Sequence, residues 1–293
     1  MLVVRAQGLT SILSRVSTLS SAFVKAVVPK NGVYLTLEDV EANVNLGTNV
    51  HDCPTRVISL ENTLNGIVMP LAEVQRIREF ALRHGLLMHC DGARLWDAAA
   101  SGAGSLTDYC ALFDTVTLCF SKGLGAPVGS IVVSDTERIA RIRWIRQFLG
   151  GGMRQPGVVT AAARVGVDQV FGDKPDGSAG LLRQGHLLAK EAESLWVAQG
   201  GTLVHPADTN MCWLNLQPLG CSDERLVALG KEVGLRLLGP RLVFHYQAAQ
   251  NRDEVVKRLE QLFAKVFAEP AEDTKKRGPG EGSMYGEAKR KKA

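Results

Sequence analysis

Gly85-Leu-Leu-Met-His-Cys-Asp-Gly-Ala-Arg94 and Thr115-Val-Thr-Leu-Cys-Phe-Ser-Lys-Gly-Leu-Gly-Ala126 decide the fold. Each begins as a short apolar run of the kind that makes a buried strand and ends in polar or glycine-rich residues. The first closes on Asp91 and Arg94, the second on Ser121 and Lys122. In an open α/β sheet the carboxyl ends of parallel strands line the crevice where ligands bind. An acid, a guanidinium and an amine are therefore expected to share one cleft.

Upstream, Arg56-Val-Ile-Ser-Leu60 reads as another buried strand, with Glu61-Asn-Thr-Leu-Asn-Gly66 as the polar loop at its end. Pro70 opens a helix whose buried face is Val74, Ile77, Ala81 and Leu82, and Gly85 closes it. That strand-helix-strand unit makes its two strands parallel. Thr36 and Asp39 form a capping-box-like start for an earlier helix. Downstream, Gly129-Ser-Ile-Val-Val-Ser134 follows a tight Gly-Ala-Pro turn and is expected to run antiparallel. Thr136 starts a helix with Ile139, Ile142, Ile145 and Leu149 on one side, and Gly150-Gly-Gly-Met-Arg154 breaks it.

Asp91, Arg94 and Lys122 suit pyridoxal phosphate. A lysine amine condenses with the cofactor aldehyde, a carboxylate keeps the pyridine nitrogen protonated, and arginine offers a planar fork to a substrate carboxylate. A lone lysine after a strand is rarely such a group; order and spacing raise the case. The nucleotide-loop alternative over Gly123 to Gly129 fails because no Gly-Lys-Ser/Thr is present.

His89-Cys-Asp-Gly-Ala-Arg94, Phe120-Ser-Lys-Gly-Leu-Gly-Ala-Pro-Val-Gly-Ser130, Gly150-Gly-Gly-Met-Arg-Gln155 and Leu60-Glu-Asn-Thr-Leu-Asn-Gly66 resemble the low-specificity threonine aldolases, in that family's order. The resemblance runs from about Lys30 to the helix ending near Ala268. It implies an α/β, PLP-dependent transferase-like (fold type I) large domain with a mostly parallel sheet and a small α+β C-terminal domain. It implies a carbon-carbon lyase that cleaves L-threonine or L-allo-threonine to glycine and acetaldehyde, with Lys122 holding the cofactor. Arg154 would reach the cofactor phosphate from a segment beside a dimer interface. Arg241, followed by His245, would grip the substrate carboxylate together with Arg94. Dimers or tetramers with shared sites are expected.

The chain departs from that pattern at its start. The family carries a Ser-Gly-Thr phosphate turn and a ring-stacking histidine before this sheet, and neither appears between Met1 and Lys30. Weak or absent cofactor binding in this chain alone is the expectation, and a shortened, non-catalytic relative that associates with full-length aldolase subunits is the competing reading. His89 could orient the cofactor edge, although a satisfied core histidine is the stronger expectation. His51, His84, His186 and His205 suggest no partner.

The 293 residues, 45% apolar and 22% charged, have an ordinary globular balance, and a net charge of +4 makes no case for nucleic acid. Six cysteines without a CxxC pair argue against structural zinc and a secreted disulfide framework. No apolar run approaches the roughly 20 residues that span a bilayer, so no membrane partner is expected. A cytoplasmic address follows; the acid-free first thirty residues also have the composition of a mitochondrial transit segment. The expected organisation is 1–30 of open role, with Ala22 to Val28 as a strand, 31–175 a partial cofactor-binding domain, 176–268 the small domain, and 269–293 a disordered basic tail. Gly172-Asp-Lys-Pro-Asp-Gly-Ser178 marks the boundary. In the small domain Asn210 to Leu216, Leu235 to Leu238 and Arg241 to Tyr246 read as strands.

Overall fold

The computed structural model describes residues 16–172 and 180–268, and the backbone of 2–4. The boundary turn expected at 172–178 and the tail at 269–293 lie, except for Gly172, outside the described residues. Six strands form one sheet: β1 (Leu2–Val4), β2 (Lys25–Val27), β3 (Val57–Glu61), β4 (Leu87–Gly92), β5 (Thr115–Cys119) and β6 (Ser130–Ser134). Their order is β2-β1-β3-β4-β5-β6. Every pairing is parallel except β5 with β6. The reversal before β6 is tight: Ala126 N–H donates to Phe120 O at 3.0 Å and Phe120 N–H to Gly129 O at 3.0 Å. So short a connection cannot make a parallel crossover.

The central strands alternate instead of being apolar on both faces. Ile58, Leu60, Met88, Cys90, Val116 and Leu118 are at most 5% exposed and face the core. The intervening side chains, among them Glu61, His89, Asp91, Thr115 and Thr117, take the other face. Parallel pairing in register aligns Glu61, Asp91 and Thr117 in one row, and Ser59, His89 and Thr115 in the row behind. The apolar face anchors the sheet, each buried Leu or Ile contributing about 1.5–3 kcal/mol. The polar rows are left for chemistry.

Helices α1 (Leu37–Asn43) and α2 (Leu71–Arg83) pack on the sheet core. Thr36 and Asp39 close a reciprocal capping box at the start of α1. Val74, Ile77 and Ala81 of α2 are buried as expected, but Leu82 is 61% exposed. One step of about 100° past Ala81 carries it to solvent, and Phe80 fills the other flank. Next come α3 (Leu95–Ala100), α4 (Leu106–Cys110), α5 (Thr136–Phe148) and α6 (Gly157–Val165), the last running into a wider π-helical turn, Gly166–Phe171. Helix α5 buries no residue: of its expected apolar side, Ile145 and Leu149 are exposed while Ile139 and Ile142 are half-buried.

Helix α7 (Leu182–Ala198) joins two hydrophobic clusters: Leu182 belongs to the one on the large sheet, and Leu188, Ala189, Ala192 and Trp196 to a second. The second cluster lies around an antiparallel sheet of β7 (Thr202–Leu203), β8 (Met211–Asn215) and β9 (Arg241–Val243), with α8 (Asp223–Glu232), α9 (Tyr246–Ala249) and α10 (Arg252–Ala268). Leu235 to Leu238, expected as a strand, is irregular. Both edges of β8 are already taken by β7 and β9, and Leu235 N–H bonds back to Gly230 O at 2.7 Å. Among the described residues no helix is long and apolar enough to cross a membrane.

Candidate active site

The parallel strands β3, β4 and β5 end side by side, and the chemistry begins there. Asp91, on β4, accepts a hydrogen bond at Oδ1 from Ala93 N–H at 3.1 Å, which turns the chain toward α3. Its register partner Glu61, at the end of β3, has its Oε2 shut off from solvent without a hydrogen-bond partner among the described residues. Burial and the like charge of Asp91 push the Glu61 carboxyl up to about 7, while Lys122 and Arg94 pull it the other way. One carboxyl group thus senses Asp91, Lys122 and Arg94 together. The strand-end motifs converge on it.

Arg94 precedes α3 and is largely buried, which lowers its pKa from the usual guanidinium value. Asp97, Arg241 and Glu61 contribute to its charge environment, so it senses a second guanidinium from the small sheet. Arg241 heads β9 with its guanidinium 5.7 Å from the centre of the Trp213 ring. Trp213 in turn donates its indole N–H to Asn65 O at 3.0 Å, and Thr209 donates its hydroxyl to Gly66 O at 2.7 Å. The loop after β3 is thereby tied to the small sheet, which carries Arg241 toward Arg94. Two guanidinium groups that sense each other's charge can hold one anion between them.

Lys122 is exposed on the loop that follows β5 and forms no ion pair among the described residues. Gly125 N–H closes a turn onto Lys122 O at 2.9 Å. The loop is held on both sides. A Cβ at Gly123 would lie 2.9 Å from Leu182 Cδ2 and 3.1 Å from Asp97 Oδ2, and one at Gly166 would lie 3.1 Å from Leu124 O. Only glycine lets these segments approach so closely.

Nothing in the sequence singled out Asp97, and His186, expected to have no partner, has one. Asp97 is 1% exposed and meets His186 Nε2 at 3.1 Å, joining α3 to α7 behind the lysine loop. No short-range pattern announces a pair 89 residues apart. His245 caps α9 and lies against the loop, its pKa lowered by burial and raised by the Gly123 backbone. His89 shares the polar face with Asp91 and pairs through Nδ1 with Thr115 Oγ1 at 2.8 Å, while burial lowers its pKa. Asn62 is 2% exposed and does structural work: its Oδ1 accepts Met69 N–H at 3.1 Å, bracing the loop between β3 and α2. Arg154 sits in an exposed stretch after α5, with no hydrogen bond or ion pair to the cluster among the described residues.

A mostly parallel sheet of this order with a small antiparallel sheet beside it is the architecture of the fold type I enzymes that use pyridoxal phosphate. The threonine aldolase structure of Leishmania major superimposes with a TM-score of 0.66 at 18% identity, over 88% of this chain and 77% of that one. The sequence profile described as beta-eliminating lyase matches residues 9–218, and the chain belongs to that family. It is 50% identical over 252 residues to aldolase vrtJ of Penicillium aethiopicum, covering 86% of this chain and 63% of the relative. It is 40% identical over 254 residues to the low specificity L-threonine aldolase of Saccharomyces cerevisiae, covering 86% and 64%. The chain therefore spans somewhat less than two thirds of these relatives' lengths.

Pyridoxal phosphate is the cofactor that this family implies. The residues present fit its reactive end: an exposed amine at Lys122, a carboxylate at Asp91 with a backbone donor already on one oxygen, and a buried carboxyl oxygen at Glu61 that lacks a partner. This donor set matches an aldehyde, a pyridine nitrogen and a polar ring edge.

Proposed function

We propose that this chain carries the lysine, the ring-nitrogen carboxylate and the carboxylate-binding arginines of a threonine aldolase, which cleaves L-threonine or L-allo-threonine to glycine and acetaldehyde. The observation that carries the reading is the gathering of Asp91, Lys122 and Arg94 around one buried carboxyl, with Arg241 beside Arg94. Pyridoxal phosphate, when bound, supplies a ring that takes up the electron pair released when the bond between the α and β carbons breaks.

The protein's own residues do the rest. Lys122 would hold the cofactor through its amine, Asp91 would keep a proton on the ring nitrogen, and Arg94 and Arg241 would hold the substrate carboxylate and so orient the bond to be broken. Arg154 is the proposed phosphate contact. The lack of any hydrogen bond or ion pair from it to the cluster among the described residues suits a role at the site of a neighbouring subunit in a dimer or tetramer. The exposed Trp144, Phe148 and Leu149 at the end of α5, just before it, support such a contact. In this reading the protein serves threonine catabolism and glycine biosynthesis in the cytoplasm.

The test is a product assay for glycine and acetaldehyde, run with spectral titration by pyridoxal phosphate. The expected outcome is a new absorbance band and turnover in the native chain, both lost in Lys122→Ala. Absence of the band in the native chain would leave the competing reading, a non-catalytic relative acting only with complete subunits.

A further inference from the structure

Glu61, matched above only to a polar ring edge, has its side chain where the strand ends meet. Glu61 and Asp91 are paired in register on adjacent parallel strands and face the same way. Two carboxylates in neighbouring register positions repel each other when both are ionised, which favours a proton on one of them. The local donors decide which. Asp91 Oδ1 accepts the Ala93 amide at 3.1 Å, whereas Glu61 Oε2 is buried with no donor among the described residues. Two cations, Lys122 and Arg94, stand within electrostatic reach. The buried thiol of Cys90 also senses the Glu61 charge.

From this arrangement we infer that Glu61 is a positioning residue of the site: it keeps the proton of a coupled carboxyl pair and thereby leaves Asp91 as the anion that faces the ring nitrogen. The inference rests on the proposed cofactor site. While Glu61 is neutral, the strand ends carry one negative charge, and the hold of Asp91 on a protonated ring nitrogen is not shared. When Glu61 loses its proton to solvent as the pH rises, a second anion appears beside Asp91 and the charge balance with Lys122 and Arg94 changes.

The test begins with the cofactor-free chain, labelled with carbon-13 at the Glu and Asp carboxyls and titrated by NMR. Glu61 is expected to show a midpoint well above that of a solution glutamate, and Asp91→Asn to bring that midpoint down by at least about one pH unit, a tenfold change in proton affinity. An ordinary Glu61 midpoint in the native chain, or one that Asp91→Asn leaves in place, overturns the inference. Should Asp91→Asn fail to fold, Glu61→Gln serves in its stead. The absorbance of bound pyridoxal phosphate is then expected to show a pH-dependent step in the native chain that Glu61→Gln abolishes and Glu61→Asp retains. Persistence of the step in Glu61→Gln, or no step in a native chain that binds the cofactor, also overturns it. Because the NMR titration needs no turnover, its result is independent of the product assay, and either reading can fail alone.

Discussion

At the scale of single residues, the site combines groups whose burial and charge work against one another. Glu61 shows the consequence for stability. Its carboxyl lies at about 7 in the fold against 4.5 in the free residue. Between those values the folded chain holds a proton that the unfolded chain has released, so stability falls as the pH rises through that window. The shift corresponds to roughly 3 kcal/mol at most. Glu61→Gln, which cannot ionise, is therefore expected to lose this dependence. Urea denaturation should find the variant gaining on the native chain between pH 5 and pH 8, and a constant difference across that range would refute the assignment. Asp91, Arg94 and Lys122 were legible as candidates because each ends a recognisable strand. The proton on Glu61 was not, since it depends on a neighbour thirty residues away in sequence and adjacent only by register.

At the scale of elements, the loop after β5 is the part whose geometry is least tolerant. It is wedged between Asp97 and Leu182 on one side and the π turn that begins at Gly166 on the other. Adding a methyl group at Gly123 forces a shift of Leu182 or of the loop itself. Gly123→Ala is expected to weaken pyridoxal phosphate binding about tenfold, close to 1.4 kcal/mol, in a spectral titration while the chain stays folded. Undiminished binding would mean that the loop adapts freely. The glycines themselves were visible in Ser121-Lys-Gly-Leu-Gly-Ala126. What they approach was not, because α7 and the π turn arrive from more than forty residues downstream. The same limit explains Leu235 to Leu238: its apolar residues favour a strand, but β8 has no free edge to pair with.

At the scale of the whole molecule, two hydrophobic clusters share α7, and His186, the partner of Asp97 on α3, lies on that helix near where one cluster gives way to the other. The small sheet is further pinned to the loop after β3 through Trp213 and Thr209, and this brings Arg241 to Arg94. Outside this core, α5 presents Trp144 and Phe148, 59% and 74% exposed and stacked at 5.7 Å. Exposed aromatic pairs of this kind mark contact surfaces. If subunits meet there, Trp144→Ser with Phe148→Ser should lower the assembled mass measured by light scattering and leave the circular dichroism unchanged. An unaltered mass would remove α5 from the interface.

By itself the sequence determined the strand-helix-strand order, the parallel sheet with one reversed strand, and the polar strand ends, because hydrophobic period, glycine and proline act over a few residues. Only the tertiary structure decided which side chains share a charge environment. Register brought Glu61 to Asp91, the docking of the small sheet brought Arg241 to Arg94, and the path of α7 brought His186 to Asp97. Proton affinity and ion pairing fall off over a few ångströms of space, a distance that separation along the chain does not report.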